Sequence, residues 1–167
     1  HPQPRRPTLM RPKACSVLSL DVGRRRIGLA GCDPLGISVT PLRAIRRGRF
    51  DADLEIFRGH CVARRVEGLV VGLPLDDRGA PTPQAEHCRR YGLRLASVLD
   101  LPLAWVNEHS STWAAADRFG LSGDRSGQLD SAAAALLLDQ WLAEGPALKP
   151  AHLMGQRPGA GALDDGS

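Results

Sequence analysis

The stretch Ser19–Gly31, SLDVGRRRIGLAG, sets the frame for the whole chain. An apolar run, Ser16 to Asp21, ends on a carboxylate. Gly23 breaks it, and after three arginines the apolar pattern resumes from Arg26 to Gly31. Two such runs divided by a tight turn read as a β-hairpin. Gly23 is expected to supply a positive φ in that turn. An acid at the end of a buried strand, crowded by Arg24, Arg25 and Arg26, has two explanations. One is an ion pair or a turn closed by Asp21; the other is a site for a metal ion and a phosphate.

Working outward, Ile37–Ile45 reads as a third strand, and Pro41 inside it marks an edge. The segment Asp51–Val66 has Leu54, Phe57, Cys61 and Val62 at helical spacing, acids at its start and Arg64 and Arg65 near its end. Gly68–Leu73 is a continuous apolar strand leading into GLP. Thr82–Leu99 is an amphipathic helix, Leu101–Val106 a strand, Ser111–Phe119 a short helix, and Gln128–Ala143 a final helix rich in Ala and Leu. Hairpin strands followed by βαβ units predict an α/β fold. Its centre is a mixed five-stranded sheet, three strands antiparallel and two parallel, flanked by helices.

With 167 residues the chain has room for one domain with its own core. Residues 15–144 are expected to form it. Residues 1–14 read as a disordered basic arm, and 145–167, rich in Pro, Gly and Ala, as a flexible tail. Aromatics make up only 4%, so Leu, Val, Ile and Ala must build the core. The net charge is +4, carried almost wholly by arginine, since Lys13 and Lys149 are the only lysines. Arginine suits bidentate phosphate contacts, although a GC-rich genome would also favour it. Cys15, Cys32, Cys61 and Cys88 lack zinc-ligand spacing and suit a reducing, cytoplasmic setting. No apolar run is long enough to span a bilayer.

Three acids fall at telling places on this frame. Asp21 ends the first strand, Glu108 follows the last, and Asp130 lies one turn into a helix whose inward stripe includes Ala133, Ala134, Leu137 and Trp141. Ligand sites of open α/β sheets lie beyond the carboxyl ends of the strands. Carboxylates gathered there would repel one another unless a cation joined them. Mg2+ or Mn2+ takes oxygen ligands, and two ions about 4 Å apart can clamp a phosphodiester for attack by water.

The segments DVGRRRIGLA (21–30), GLP (72–74), NEHSST (107–112) and LDSAAAALLL (129–138) together resemble the bacterial pre-16S rRNA nuclease family, also described as Holliday junction resolvases. The resemblance spans Ser16 to Leu142. It implies an RNase H-like fold, with Asp21, Glu108 and Asp130 as catalytic, metal-binding acids for two Mg2+ or Mn2+ ions. It further implies cytoplasmic trimming of the 5′ end of pre-16S rRNA on a ribosomal precursor particle. The family usually carries Asp-Glu-Arg where this chain has Asn107, Glu108 and His109.

Arg24, Arg25, Arg26, Gly28, Pro74, Ser111 and Thr112 are the candidate substrate contacts. Arg26 could pair with an acid or a phosphate. Gly28 could mark a bulge or the close approach of a nucleic-acid backbone. Pro74 fixes the loop after its strand, and Ser111 and Thr112 suit helix N-caps that could also meet phosphate. His60, His87 and His109 are isolated in the sequence, and Arg64, Arg65, Arg89 and Arg90 read as solvated helix faces. Three other readings stay open: a resolvase acting on four-way DNA junctions, a nucleic-acid-binding factor that does not cut, and an ATP-binding domain, which would need a second domain.

Overall fold

The computed structural model describes residues 15–76, 78–108 and 127–154. Five strands form one sheet: β1 (Val17–Val22), β2 (Arg26–Cys32), β3 (Val39–Arg46), β4 (Gly68–Leu73) and β5 (Leu103–Asn107), in the order β3-β2-β1-β4-β5. β1 pairs antiparallel with β2 and parallel with β4, β2 antiparallel with β3, and β4 parallel with β5. This is the expected mixed five-stranded sheet, three strands antiparallel and two parallel.

Helices α1 (Phe50–Arg64) and α2 (Pro83–Leu99) cover one face, and α3 (Gln128–Glu144) covers the other. The alternation in β1 decides which side chain meets which layer. Leu18, Leu20 and Val22 pack with Leu54, Phe57, Tyr91 and Leu95 beneath α1 and α2. Val17 turns to the α3 side, where Ala134, Leu137, Leu138 and Trp141 close the core. Ser19 shares that side: its buried hydroxyl donates to the Ala134 carbonyl at 2.6 Å.

The alanine run of α3 follows from this packing. Ala134 and Ala135 lie close against the sheet, where larger side chains would hold the helix off, while Ala132 and Ala133 are buried on another face with Leu129 and Leu136. In α1, Leu54 and Phe57 are buried as expected, but Val62 is 80% exposed. The helix ends at Arg65, which takes a left-handed conformation. Thr82 caps α2, accepting from the Ala85 N–H at 3.0 Å and donating to the Pro74 carbonyl at 2.8 Å.

Two expectations need correction. Gly23 does not take a positive φ; it is small because its N–H bonds the Arg26 carbonyl at 2.9 Å, where a Cβ would sit 2.8 Å from that oxygen. The start of the expected tail, 145–154, returns to the fold. Lys149 and Leu103 exchange backbone hydrogen bonds at 2.9 Å, the Leu148 side chain packs over Gly68, and the Trp141 indole donates to the Pro146 carbonyl. A short turn, α4 (Ala151–Met154), follows. The N-terminal arm and the expected helix Ser111–Phe119 lie outside the described residues.

Candidate active site

Strand alternation brings the first two acids together. On β1 the α3 side is taken by residues 17, 19 and 21, and on β5 by 104, 106 and then 108. The Glu108 N–H bonds the Leu73 carbonyl at 2.9 Å, extending the parallel pairing by one residue. Asp21 and Glu108 therefore meet across β4 at the carboxyl end of the sheet, and their side chains hydrogen bond to each other. The strand between them carries Gly72 at this level. A Cβ there would lie 2.8 Å from Glu108 Oε1 and 2.6 Å from Leu137 Cδ1. The glycine of GLP thus makes room for a carboxylate, a role not assigned to it from sequence.

Burial is the main force on Asp21 and pushes its carboxyl well above the usual carboxylate range. The negative charge of Glu108, the hydrogen bond with it, and the charge of Asp130 push the same way. Protein packs densely round the carboxyl, yet the residue keeps some solvent contact. Two acids that must share a proton in this setting are poised to receive positive charge.

Asp130 reaches the same edge from α3. Its carboxylate bonds Arg26 Nε at 2.9 Å, with both side chains about a third exposed (34% and 38%). Arg26 therefore meets an acid, the first of the two partners considered for it. Asp130 is placed by Gly28, which faces Asp21 across the hairpin. A Cβ on Gly28 would overlap the Asp130 carbonyl and come within 2.9 Å of its Cβ. The β2–β3 register also shifts between Ile27 and Leu29. Gly28 thus marks a bulge, and the space beside it is filled by α3 rather than by a substrate backbone. The Leu29 N–H donates to the Ser131 hydroxyl at 3.2 Å, fastening the first turn of α3 to the bulge. Gly127 starts that helix with φ +88°, close against Ala44.

Among the described residues, no three His, Cys, Asp or Glu side chains stand close enough to hold an ion as they are placed. Two of the acids bond each other, and Arg26 holds the third. Arg24 and Arg25 are exposed on the hairpin turn, and half-buried Pro74 follows the end of β4. Ser111, Thr112 and His109 lie outside the described residues.

The other rim of the site contains groups that sequence reading passed over. His87 is not isolated: its Nε2 bonds Arg47 Nη1 at 2.8 Å. Arg47 also donates to the Gly23 carbonyl at 2.8 Å and lies 4.6 Å over the Tyr91 ring. Gln84 Nε2 and Cys88 Sγ, one helical turn apart, both donate to the Val22 carbonyl, at 3.1 and 3.3 Å. Burial, with Glu108 and Asp21 nearby, pushes the Cys88 thiol up to about 12, so it is no nucleophile at neutral pH. The helix faces read as solvated are only partly so. Arg89 lies 3.9 Å from Glu86 with 16% of its side chain exposed, and Arg64 is half-buried against Gly31. The contacts of Arg47 with Gly23 and His87, and of Cys88 with Val22, join residues 24 to 66 positions apart, beyond the reach of any local pattern.

Several known proteins are closely similar to this chain. A protein of Synechococcus sp. (strain CC9605) named "Putative pre-16S rRNA nuclease" is 77% identical over 95% of this chain and 100% of its own. Proteins of the same name from Synechococcus sp. (strain CC9902) and Prochlorococcus marinus (strain MIT 9313) are 72% and 66% identical. They cover 93% and 87% of this chain, and 95% and 91% of their own. Residues 15–144 match the family described as RuvX: Holliday junction resolvase. With that span of the chain matched and relatives this similar, the protein belongs to the RuvX family.

Proposed function

We propose that this chain is a divalent-cation-dependent endonuclease that hydrolyses phosphodiester bonds, and that it trims the 5′ end of pre-16S rRNA on a ribosomal precursor particle in the cytoplasm. The observation that carries the reading is the direct bond between Asp21 and Glu108, with Asp130 near enough to act on Asp21. Two carboxyls pressed together at a sheet edge cost stability, and such a cost is characteristic of functional sites. The names of the curated relatives support a nuclease acting on precursor rRNA.

The donor set fits Mg2+ or Mn2+: all three candidate ligands are carboxylates, the hard oxygen donors such ions take. Asp21, Glu108 and Asp130 would hold two ions. When bound, the ions would acidify an attacking water and offset charge on the leaving oxygen. The remaining roles belong to the chain itself. Arg26 holds the Asp130 carboxylate while no cation competes for it. Gly28 and Ser131 fix the distance of α3 from the sheet. Arg24 and Arg25, on the turn beside Asp21, meet phosphates flanking the scissile one, and Pro74, Ser111 and Thr112 are further substrate contacts of this proposal. Among the described residues no helix is long and apolar enough to cross a membrane.

The test is cleavage of a pre-16S fragment carrying its 5′ extension, alongside a four-way DNA junction, with Mg2+ or Mn2+ added. The RNA is expected to be cut and the junction left intact. Asp21→Asn should fold, by circular dichroism, and should not cut. A variant that still cleaves the RNA at the wild-type rate removes Asp21 from the mechanism. Cleavage of the junction alone would assign DNA as the substrate.

A further inference from the structure

The acids account for one rim of the site; the other carries a cluster of arginines that no ion pair of the described residues engages. Arg47 is held on three sides without any acid. Its backbone N–H bonds the Arg25 carbonyl at 2.8 Å, its Nη1 bonds Gly23 O and His87 Nε2, and its guanidinium stacks on Tyr91. Because arginine does not give up its proton, His87 Nε2 must be the acceptor, so His87 is neutral there. Nη1 has two hydrogens, and these two bonds use both. Among the described residues, the N–H groups on Nε and Nη2 then remain for an acceptor from outside.

Arg24 and Arg90, both exposed, act on His87 electrostatically together with Arg47, and the three hold its imidazole below its ordinary range after burial has done so. The ion pairs of the described residues engage Arg26, Arg58 and Arg89, and none of these three. Like charges crowded with no carboxylate partner repel, and a polyanion relieves that repulsion. The cluster is anchored at Gly23, two residues beyond Asp21, hence within about 7 Å of it along the backbone.

We propose that Arg24, Arg47 and Arg90, gathered round His87 between the β1–β2 turn and α2, form a phosphate-binding subsite that grips the backbone of the substrate strand next to the acids. This rests on the nuclease reading and adds to it a place where the strand is held. The contacts go to phosphate, so the subsite holds RNA and DNA alike.

Binding of a fluorescent single-stranded oligonucleotide, as RNA and as DNA of one sequence, is measured by anisotropy in chelator over a range of salt. Each phosphate contact removed should flatten the slope of log K against log salt by about 0.7. Arg24→Ala, Arg47→Ala and Arg90→Ala should each do so on both strands. Arg58→Ala, whose side chain pairs with Glu55 on α1, should not. Unchanged slopes for Arg24→Ala and Arg90→Ala would overturn the subsite, even if Arg47→Ala weakens binding by loosening the hairpin. Cleavage of a pre-16S fragment by the wild type is followed in a separate reaction with Mg2+ or Mn2+ added. Cutting with unchanged slopes would sink the subsite alone, and flattened slopes with no cutting would sink the nuclease reading alone.

Discussion

Replacing Gly28 with alanine tests how the site is assembled. The added methyl would overlap the Asp130 backbone, and neither partner is a flexible side chain able to swing away. Either β2 or the first turn of α3 must move. Overpacking of this kind costs about 1–3 kcal/mol. If α3 moves, the hydrogen bond from Leu29 to Ser131 is strained, adding about 1 kcal/mol. The partly exposed Arg26–Asp130 pair adds at most about 1 kcal/mol more. The expected loss is thus about 1–3 kcal/mol if β2 moves and about 2–5 kcal/mol if α3 does, readable as a lower urea midpoint at unchanged slope. Activity should fall further than stability, since a shift of about 1 Å at a reacting centre can cost about 100-fold. Gly31→Ala is the matched control. Its methyl would meet the Arg64 guanidinium at 2.7–2.9 Å, the far end of a side chain that can yield, so the loss should be smaller. A Gly28→Ala protein as stable and as active as wild type would refute the close seating of α3 as the device that places Asp130.

Two other outcomes follow from the same geometry. In the cation-free chain, Asp21 binds its proton more tightly folded than unfolded, so stability should decline as pH rises above the ordinary carboxylate range. Asp21→Asn should remove much of that decline and raise the melting temperature at neutral pH; a lower melting temperature would show that the Asp21–Glu108 bond stabilises rather than strains the fold. Gly72→Ala should displace the Glu108 carboxylate, and Leu137 with it, costing about 1–3 kcal/mol and most of the cleavage activity. Full activity in that variant would mean that Glu108 does not need its observed position.

Much of the frame is readable from local pattern. The strand Gly68–Leu73 has its expected bounds, and the hairpin, the βαβ order and the inward stripe of α3 follow from periodicity. Residues 21 and 108 meet because alternation along β1 and β5 carries a parity that sequence already displays. What escaped notice lacks any period. The return of 145–154 is held by a backbone bridge, an indole hydrogen bond and the side chains of Leu148, Ala151 and Met154, beneath a composition typical of tails. Gly28 and Gly72 matter for what approaches them from far along the chain, and nothing beside them in sequence reports that neighbour. The Arg47–His87–Tyr91 contact joins the end of β3 to the middle of α2 and is equally silent.

The bridge between Leu103 and Lys149 also bears on how the molecule behaves in a crowd. Among the described residues it blunts the β5 margin of the sheet, leaving β3 as the open one. There Pro41 offers no N–H, and exposed Arg43 and Arg46 would bring like charge against like in a second copy. Strand-by-strand polymerisation is thus discouraged at both margins, and a chain cut after Gly145 should become sticky before it becomes unfolded.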